Sequence, residues 1–270
     1  MLILIFSLVA LGLAVPVAMK AGILAALGTF LGCFLLQALA MFLYLLHLCR
    51  KVDQSVPQEE DDPHYRKVTD LILESVLPIL RIRIRKTGME KVPANGRFLL
   101  VCNHCSDSDP IVLMRSFARY QLAFISKKEN STMFVIGPMM HKLLCQMINR
   151  ENDREALKTI LTCIQILKED KASVAVFPEG GILTEDGKLH HFRPGVFKIA
   201  QKAGVPIVVC TLKNTLPVVP NILHFRPSLV QLDVLEVIDV DTVKALKTVE
   251  IAEMAHEIMA KNLGPDLVAD

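Results

Sequence analysis

Arg97-Phe98-Leu99-Leu100-Val101-Cys102-Asn103-His104-Cys105-Ser106-Asp107-Ser108-Asp109-Pro110 is the stretch on which the reading of this chain turns. Residues 97–102 form a short apolar run, which reads as a buried strand, and residues 109–119 read as a helix. The polar residues between them leave the end of a strand, where α/β proteins usually hold ligands. His104 is followed five residues later by Asp109 at the helix start. A loop of that length can fold back so that Asp109 accepts from one imidazole nitrogen. That fixes the tautomer and leaves the other nitrogen free as a base. Such a pair can remove a proton from a substrate hydroxyl with no nucleophilic side chain. Asp107 is a second candidate for the orienting acid, and either aspartate also suits the cap of the next helix.

Outward from this stretch, strands alternate with helices. Residues 81–85 alternate Arg and Ile, so the isoleucines face a core and the arginines face out. Strands are expected over 121–126, 147–149, 173–177, 205–211 and 229–238. Helices are expected over 64–80, 153–168 and 194–202, with a mixed helical stretch over 132–145. One closing helix is expected over 241–262, with Asp241 as its N-cap and Gly264-Pro265 as its stop. This alternation predicts an α/β fold, a mainly parallel sheet flanked by helices.

The N-terminus differs in kind. Residues 1–49 contain one charge, Lys20, and no Asp or Glu. Two apolar runs, 1–19 and 21–49, flank a turn at Met19-Lys20-Ala21-Gly22. A membrane span needs about 20 mostly apolar residues, so the expectation is a membrane-anchoring hydrophobic helical hairpin over 1–49. An acidic, proline-bearing linker over 50–64 follows, then a single domain over 65–270. Arg50, Lys51, Arg66 and Lys67 on one side against Lys20 on the other put that domain on the cytoplasmic side of the cell membrane. Apolar residues are 52% of the 270-residue chain and charged residues 21%, with a net charge of +2. Together with a mean hydropathy of +0.41, this excludes a disordered chain. The near-neutral balance gives no reason to expect nucleic acid. An odd count of seven cysteines suits buried thiols in a reducing compartment. Cys102 and Cys105 have the C-x-x-C spacing, for which ordinary packing is the leading reading over a redox role.

A second polar cluster, Phe177-Pro178-Glu179-Gly180-Gly181, also follows an apolar strand. A glycine pair there lets backbone amides approach a ligand and hold an anion. Pro-Glu-Gly-Gly is equally the chemistry of a plain turn.

The order of a hydrophobic hairpin, Asn-His-x4-Asp, Arg150 after an apolar stretch, Phe-Pro-Glu-Gly, and Gly204-Val205-Pro206 resembles the glycerolipid acyltransferases over roughly residues 65–240. The resemblance implies membrane-bound transfer of a fatty acyl chain to the free hydroxyl of a lysophospholipid. The acceptor is 1-acyl-glycerol-3-phosphate in the first instance, giving phosphatidic acid in phospholipid biosynthesis. The acyl donor is acyl-CoA or acyl carrier protein, and neither a cofactor nor a metal is implied. By the same resemblance His104 is the base and Asp109 its charge partner. Lys127 and Arg150 face the acceptor phosphate, and Phe177, Pro178, Glu179 and Gly180 bind the acceptor. Val205-Pro206 belongs to the acyl-donor side. The family's third motif commonly continues Glu-Gly-Thr-Arg, whereas here Gly181 and Ile182 stand in the last two places. Arg193, or Lys188, is then the candidate to supply the missing cation. Other lysolipid acceptors, a drifted lipid-binding protein and a hydrolase using Ser106 or Cys105 are the competing readings.

Overall fold

The computed structural model describes residues 2–149, 152–184 and 186–269. The chain begins with α1 (Leu2–Ala21) and α2 (Ile23–Arg50), followed by α3 (Pro63–Ile79), β1 (Ile82–Thr87), β2 (Leu99–Cys102), α4 (Asp109–Ser116), β3 (Leu122–Lys127), α5 (Ile136–Lys142), β4 (Gln146–Ile148), α6 (Asp153–Lys168) and β5 (Ser173–Val176). It continues with α7 (Lys198–Ala203), β6 (Ile207–Lys213), α8 (Val218–Leu223), β7 (Ser228–Ile238), α9 (Val240–Ala245) and α10 (Thr248–Leu263).

The seven strands form one sheet in the order β1-β7-β6-β2-β5-β3-β4. Five run parallel, from β6 to β4. β7 returns antiparallel to β6, and β1 pairs parallel to β7, so the expected mainly parallel α/β sheet carries a reversed pair at one edge. Side chains alternate between the two faces. Leu100, Cys102, Phe124, Ala175, Val208 and Cys210 pack under the layer that includes α3, α4 and α5. Leu99, Val101, Ala123, Val174, Ile207 and Val209 pack under α6, α7 and α10. Both faces of the central strands are thus buried, which is why they read as unbroken apolar runs.

Local chemistry sets the helix ends. Asn152 caps α6 by accepting from the amides of Arg154 and Glu155. Gly204, at φ 71°, ends α7 in the left-handed region, where glycine carries no Cβ penalty. The single closing helix expected over 241–262 is two helices, α9 and α10, because Leu246 is extended between them. Its cap is Asp239, which accepts from the amides of Asp241 and Thr242, and not Asp241. α8 has no counterpart in the sequence reading.

α1 and α2 pack as an antiparallel pair. Phe6 meets the edge of Phe34 at 6.2 Å, and Gln37 donates to the Phe6 carbonyl at 3.3 Å. The break between them is Gly22 alone, at φ 87°. Both helices are long and apolar enough to cross a membrane. The end of α2 is fixed to the domain: Leu48 and Cys49 belong to the buried core, and Tyr65 donates its hydroxyl to the Leu48 carbonyl at 2.9 Å. The segment that follows is also fixed. Arg66 is buried, grips Asp61 through Nε and Nη2 at 3.2 and 2.6 Å, and donates to the Leu122 carbonyl.

Candidate functional site

The site is built where β2 and β5 end side by side. Val101 pairs with Val176, so the residues following each strand emerge together at one sheet edge. Asn103 locks that edge to β6: its Oδ1 accepts from the Leu212 amide at 2.8 Å, and its Nδ2 donates to the Leu212 carbonyl at 3.0 Å. His104 therefore leaves a braced strand end.

The His104 Nδ1–H donates to Asp109 Oδ2 at 2.9 Å. The same oxygen accepts from the amides of Cys105 at 2.7 Å and Ser106 at 2.8 Å. Asp109 is completely buried, and its other oxygen, Oδ1, has no partner among the described residues. Three donors converge on that one carboxylate oxygen and fix the orientation of the Asp109 side chain. With Nδ1 protonated, Nε2 is the lone-pair nitrogen, and no group among the described residues bonds it. Of the two candidate acids, Asp109 is the one that meets the imidazole; Asp107 is exposed.

Phe177 stacks on the His104 ring at a centroid separation of 4.0 Å and 15° between planes. It fixes the ring's tilt while Asp109 fixes its rotation. Glu179 is buried and spans two segments: Oε1 accepts from the His104 amide at 2.8 Å, and Oε2 accepts from the His190 amide at 3.0 Å. Burial pushes the Glu179 carboxyl up to about 7, against the pull of these two amides, with the Asp109 charge adding to the rise. Both oxygens of Glu179 are thus engaged by the protein itself. His190 carries no signal in the sequence, because its part is played by a backbone amide.

Gly180, at φ 88°, lies directly beneath Arg193. A Cβ there would come within 2.7 Å of the Arg193 Nε. The Arg193 amide donates to the Pro178 carbonyl at 2.8 Å. Its guanidinium is exposed and unpaired among the described residues, so a cation does stand over this turn where Ile182 supplies none. Lys127 is exposed at the end of β3, on the same sheet edge but two strands from β2, and no contact joins it to His104. Arg150 lies outside the described residues. Val205-Pro206 stands at the opposite end of β6: the Pro206 carbonyl accepts from the Leu99 amide, at the start of β2. Three residues of strand, about 10 Å, separate it from the end of β2.

All cysteines are free. The Cys105 thiol is pushed up to about 12 by burial and the neighbouring Asp109 charge, which removes it as a nucleophile at neutral pH. The Ser106 hydroxyl is buried against that of Ser108 at 3.0 Å. Among the described residues no group of three or more His, Cys, Asp or Glu side chains is arranged to hold a metal ion.

A single oriented imidazole at the mouth of a parallel sheet, with its second nitrogen open, defines a class of α/β domain equipped for proton abstraction. Residues 83–213 match the acyltransferase family model. It is 32% identical over 166 residues to a chloroplastic 1-acyl-sn-glycerol-3-phosphate acyltransferase of Arabidopsis thaliana, covering 59% of this chain and 45% of the relative. It is 32% identical over 133 residues to the 1-acyl-sn-glycerol-3-phosphate acyltransferase of Bacillus subtilis, covering 49% and 64%. The chain spans about half the length of the first curated relatives it matches. The fold is that of the crystallised 1-acyl-sn-glycerophosphate acyltransferase of Thermotoga maritima, with a TM-score of 0.57, 21% identity, and coverage of 80% of this chain and 87% of that one.

Proposed function

We propose that the protein transfers a fatty acyl chain from acyl-CoA or acyl carrier protein to the free hydroxyl of a membrane-resident lysophospholipid, with 1-acyl-glycerol-3-phosphate as acceptor and phosphatidic acid as product. The observation that carries this is the His104–Asp109 couple with an open Nε2, set in a domain whose relatives are named for that reaction. His104 Nε2 takes the hydroxyl proton as the oxygen attacks the thioester carbonyl. The buried Asp109 charge stabilises the imidazolium that forms. The tetrahedral intermediate then collapses, the carbon–sulfur bond breaks, and the thiolate leaves with the proton returned from Nε2. No cofactor enters the scheme. The amides of His104, Cys105 and Ser106 are already committed to Glu179 and Asp109, so they do not serve the oxyanion. The Gly181 and Ile182 amides carry no hydrogen bond among the described residues and are the donors left on that turn.

Arg193 takes the place of the arginine that Ile182 does not provide and grips the acceptor phosphate, with Lys127 and Arg150 as further cations and Phe177, Pro178 and Gly180 as walls. Glu179 acts on the acceptor only by holding His104 in place. The α1–α2 hairpin anchors the domain in the cell membrane with the site on the cytoplasmic side, beside the lipid acceptor and product. The test incubates membranes carrying the protein with labelled acyl-CoA and a panel of lysolipids. Label is expected in phosphatidic acid and is lost in His104→Ala. Label in a different lysolipid would replace the acceptor, an outcome to which Gly181-Ile182 gives a specific footing. Most of the activity surviving in His104→Ala would overturn the base assignment.

A further inference from the structure

The connection between β6 and β7 lies at the same sheet edge as His104. β7 starts back antiparallel from Lys213, which pairs with Gln231, and Asn103 ties the preceding Leu212 to the end of β2. In this connection α8 buries Val218 and exposes Val219 and Leu223, and Leu216 just before it is exposed as well. Leu223 is 74% exposed and the following Phe225 84%. Single exposed apolar side chains are ordinary on protein surfaces, but a cluster this dense marks a contact surface. Phe225 is also held at φ 55°, a region a bulky residue enters only under constraint. The constraint is visible: Arg81 Nη1 donates to the Phe225 carbonyl at 2.8 Å.

The adjoining segments are rich in cations. Residues 75–86 and 210–232 contain Arg81, Arg83, Arg85, Lys86, Lys213 and Arg226, and no Asp or Glu. A shallow cavity of about 540 Å³ opens between the ends of α3, β1 and β7, lined by Arg81, Arg83, Pro78, Ile82 and Leu229. It joins two guanidinium-bearing residues to apolar walls.

We propose that α8 and the start of β1 form an interfacial seat for an anionic phospholipid bilayer. Leu223 and Phe225 enter the boundary between headgroups and acyl chains, and Arg81, Arg83 and Arg226 bind lipid phosphates. Exposed apolar side chains set beside several cations, Arg81, Arg83 and Arg226, are the composition of a membrane-surface segment. A second copy of this chain would bring the same cations face to face across a twofold contact, which disfavours it. The N-terminal hairpin, apolar over the length of a membrane span, supplies the bilayer at high local concentration. The seat stands independently of acyl transfer. Its effect is to turn the sheet edge bearing His104 toward the headgroups.

The chain contains no tryptophan, so a single one reports its own surroundings. Phe225→Trp in the full chain is reconstituted into phosphatidylcholine vesicles with and without phosphatidylglycerol, and with lipids brominated along the acyl chain. The expected result is blue-shifted emission and loss of most of it to bromine when phosphatidylglycerol is present. Leu161→Trp, on the exposed face of α6, should stay unquenched in the same vesicles. Adding Arg83→Glu and Arg226→Glu to the Phe225→Trp protein should restore its emission. If Phe225→Trp does not fold, Leu223→Trp reads the same depth. Water-like, unquenched emission at both positions overturns the proposal, as does quenching indifferent to lipid charge. Shielding that appears in detergent and grows with protein concentration overturns it in favour of a second copy.

Discussion

Asp109→Asn separates the charge of the buried acid from its hydrogen bonds. One oxygen, Oδ2, accepts from His104 Nδ1 and the amides of Cys105 and Ser106, while Oδ1 meets nothing among the described residues. An asparagine fits this asymmetry in one orientation only. Its carbonyl oxygen takes the three donors, and its amide nitrogen takes the position where Oδ1 already stands unpaired. The fold should therefore lose little, within about 1 kcal/mol. Catalysis should lose more, because the bond that strengthens as the imidazolium forms is no longer to an anion. Hydrogen bonds to charged groups contribute about 1.5–3 kcal/mol, equivalent to roughly ten- to a hundredfold in kcat, with KM for the acceptor little changed. Asp109→Ala removes the acceptor altogether and leaves two buried amides unsatisfied, at about 1–3 kcal/mol each, so it should damage stability as well as rate. Asp107→Asn, at an exposed position, should do neither. Steady-state release of CoA, with thermal unfolding followed by circular dichroism in detergent, measures both quantities. The reasoning is refuted if Asp109→Asn keeps full turnover, or if Asp107→Asn lowers it as much.

Two further outcomes follow from the second loop. The Glu179 carboxyl rises from 4.5 to about 7 in the folded protein, so the folded state holds a proton that the unfolded state releases. Its favourable contribution is complete below about pH 4.5 and is lost as pH rises through 7. Comparing Glu179→Gln with the parent should shift their stability difference by up to about 3 kcal/mol in the variant's favour between pH 5 and 8; a difference flat with pH would contradict the buried-acid account. Gly180→Ala places a Cβ at φ 88° and against Arg193. It should cost about 1–2 kcal/mol of stability and raise the acceptor KM. A double-mutant cycle with Arg193→Ala should show that the KM effects do not add, and full additivity would mean that the two residues act separately.

Much of this was legible in the chain because it rests on short-range pattern. The buried strands announce themselves as apolar runs, and a five-residue offset suffices for Asp109 to reach back to His104. Charge type alone could not choose between Asp107 and Asp109; the turn that exposes one and buries the other did. The part played by Glu179 was hidden for a different reason. Its partners are backbone amides 75 and 11 residues away, and an amide has no letter in the sequence. α8 escaped notice because Pro217 and Pro220 punctuate it like a loop, although proline in a first helical turn gives up only amides that have no intrahelical partner. The reversal of the sheet at β7 follows from the short return through α8, which a helix-by-helix alternation does not anticipate.

For the proposed acyl transfer, the manner in which α2 joins the domain has a consequence for how lipids are chosen. Leu48 and Cys49 are core residues, and the Arg66–Asp61 clamp stiffens the segment beyond them. The hairpin therefore behaves as a mast set into the hull and not as a mooring line. With the mast planted in lipid, His104 sits at one altitude and one tilt, unable to bob toward shallow or deep targets. Selection among acceptors then acquires a ruler as well as a lock: an alcohol is reachable only when its own headgroup carries it to that altitude.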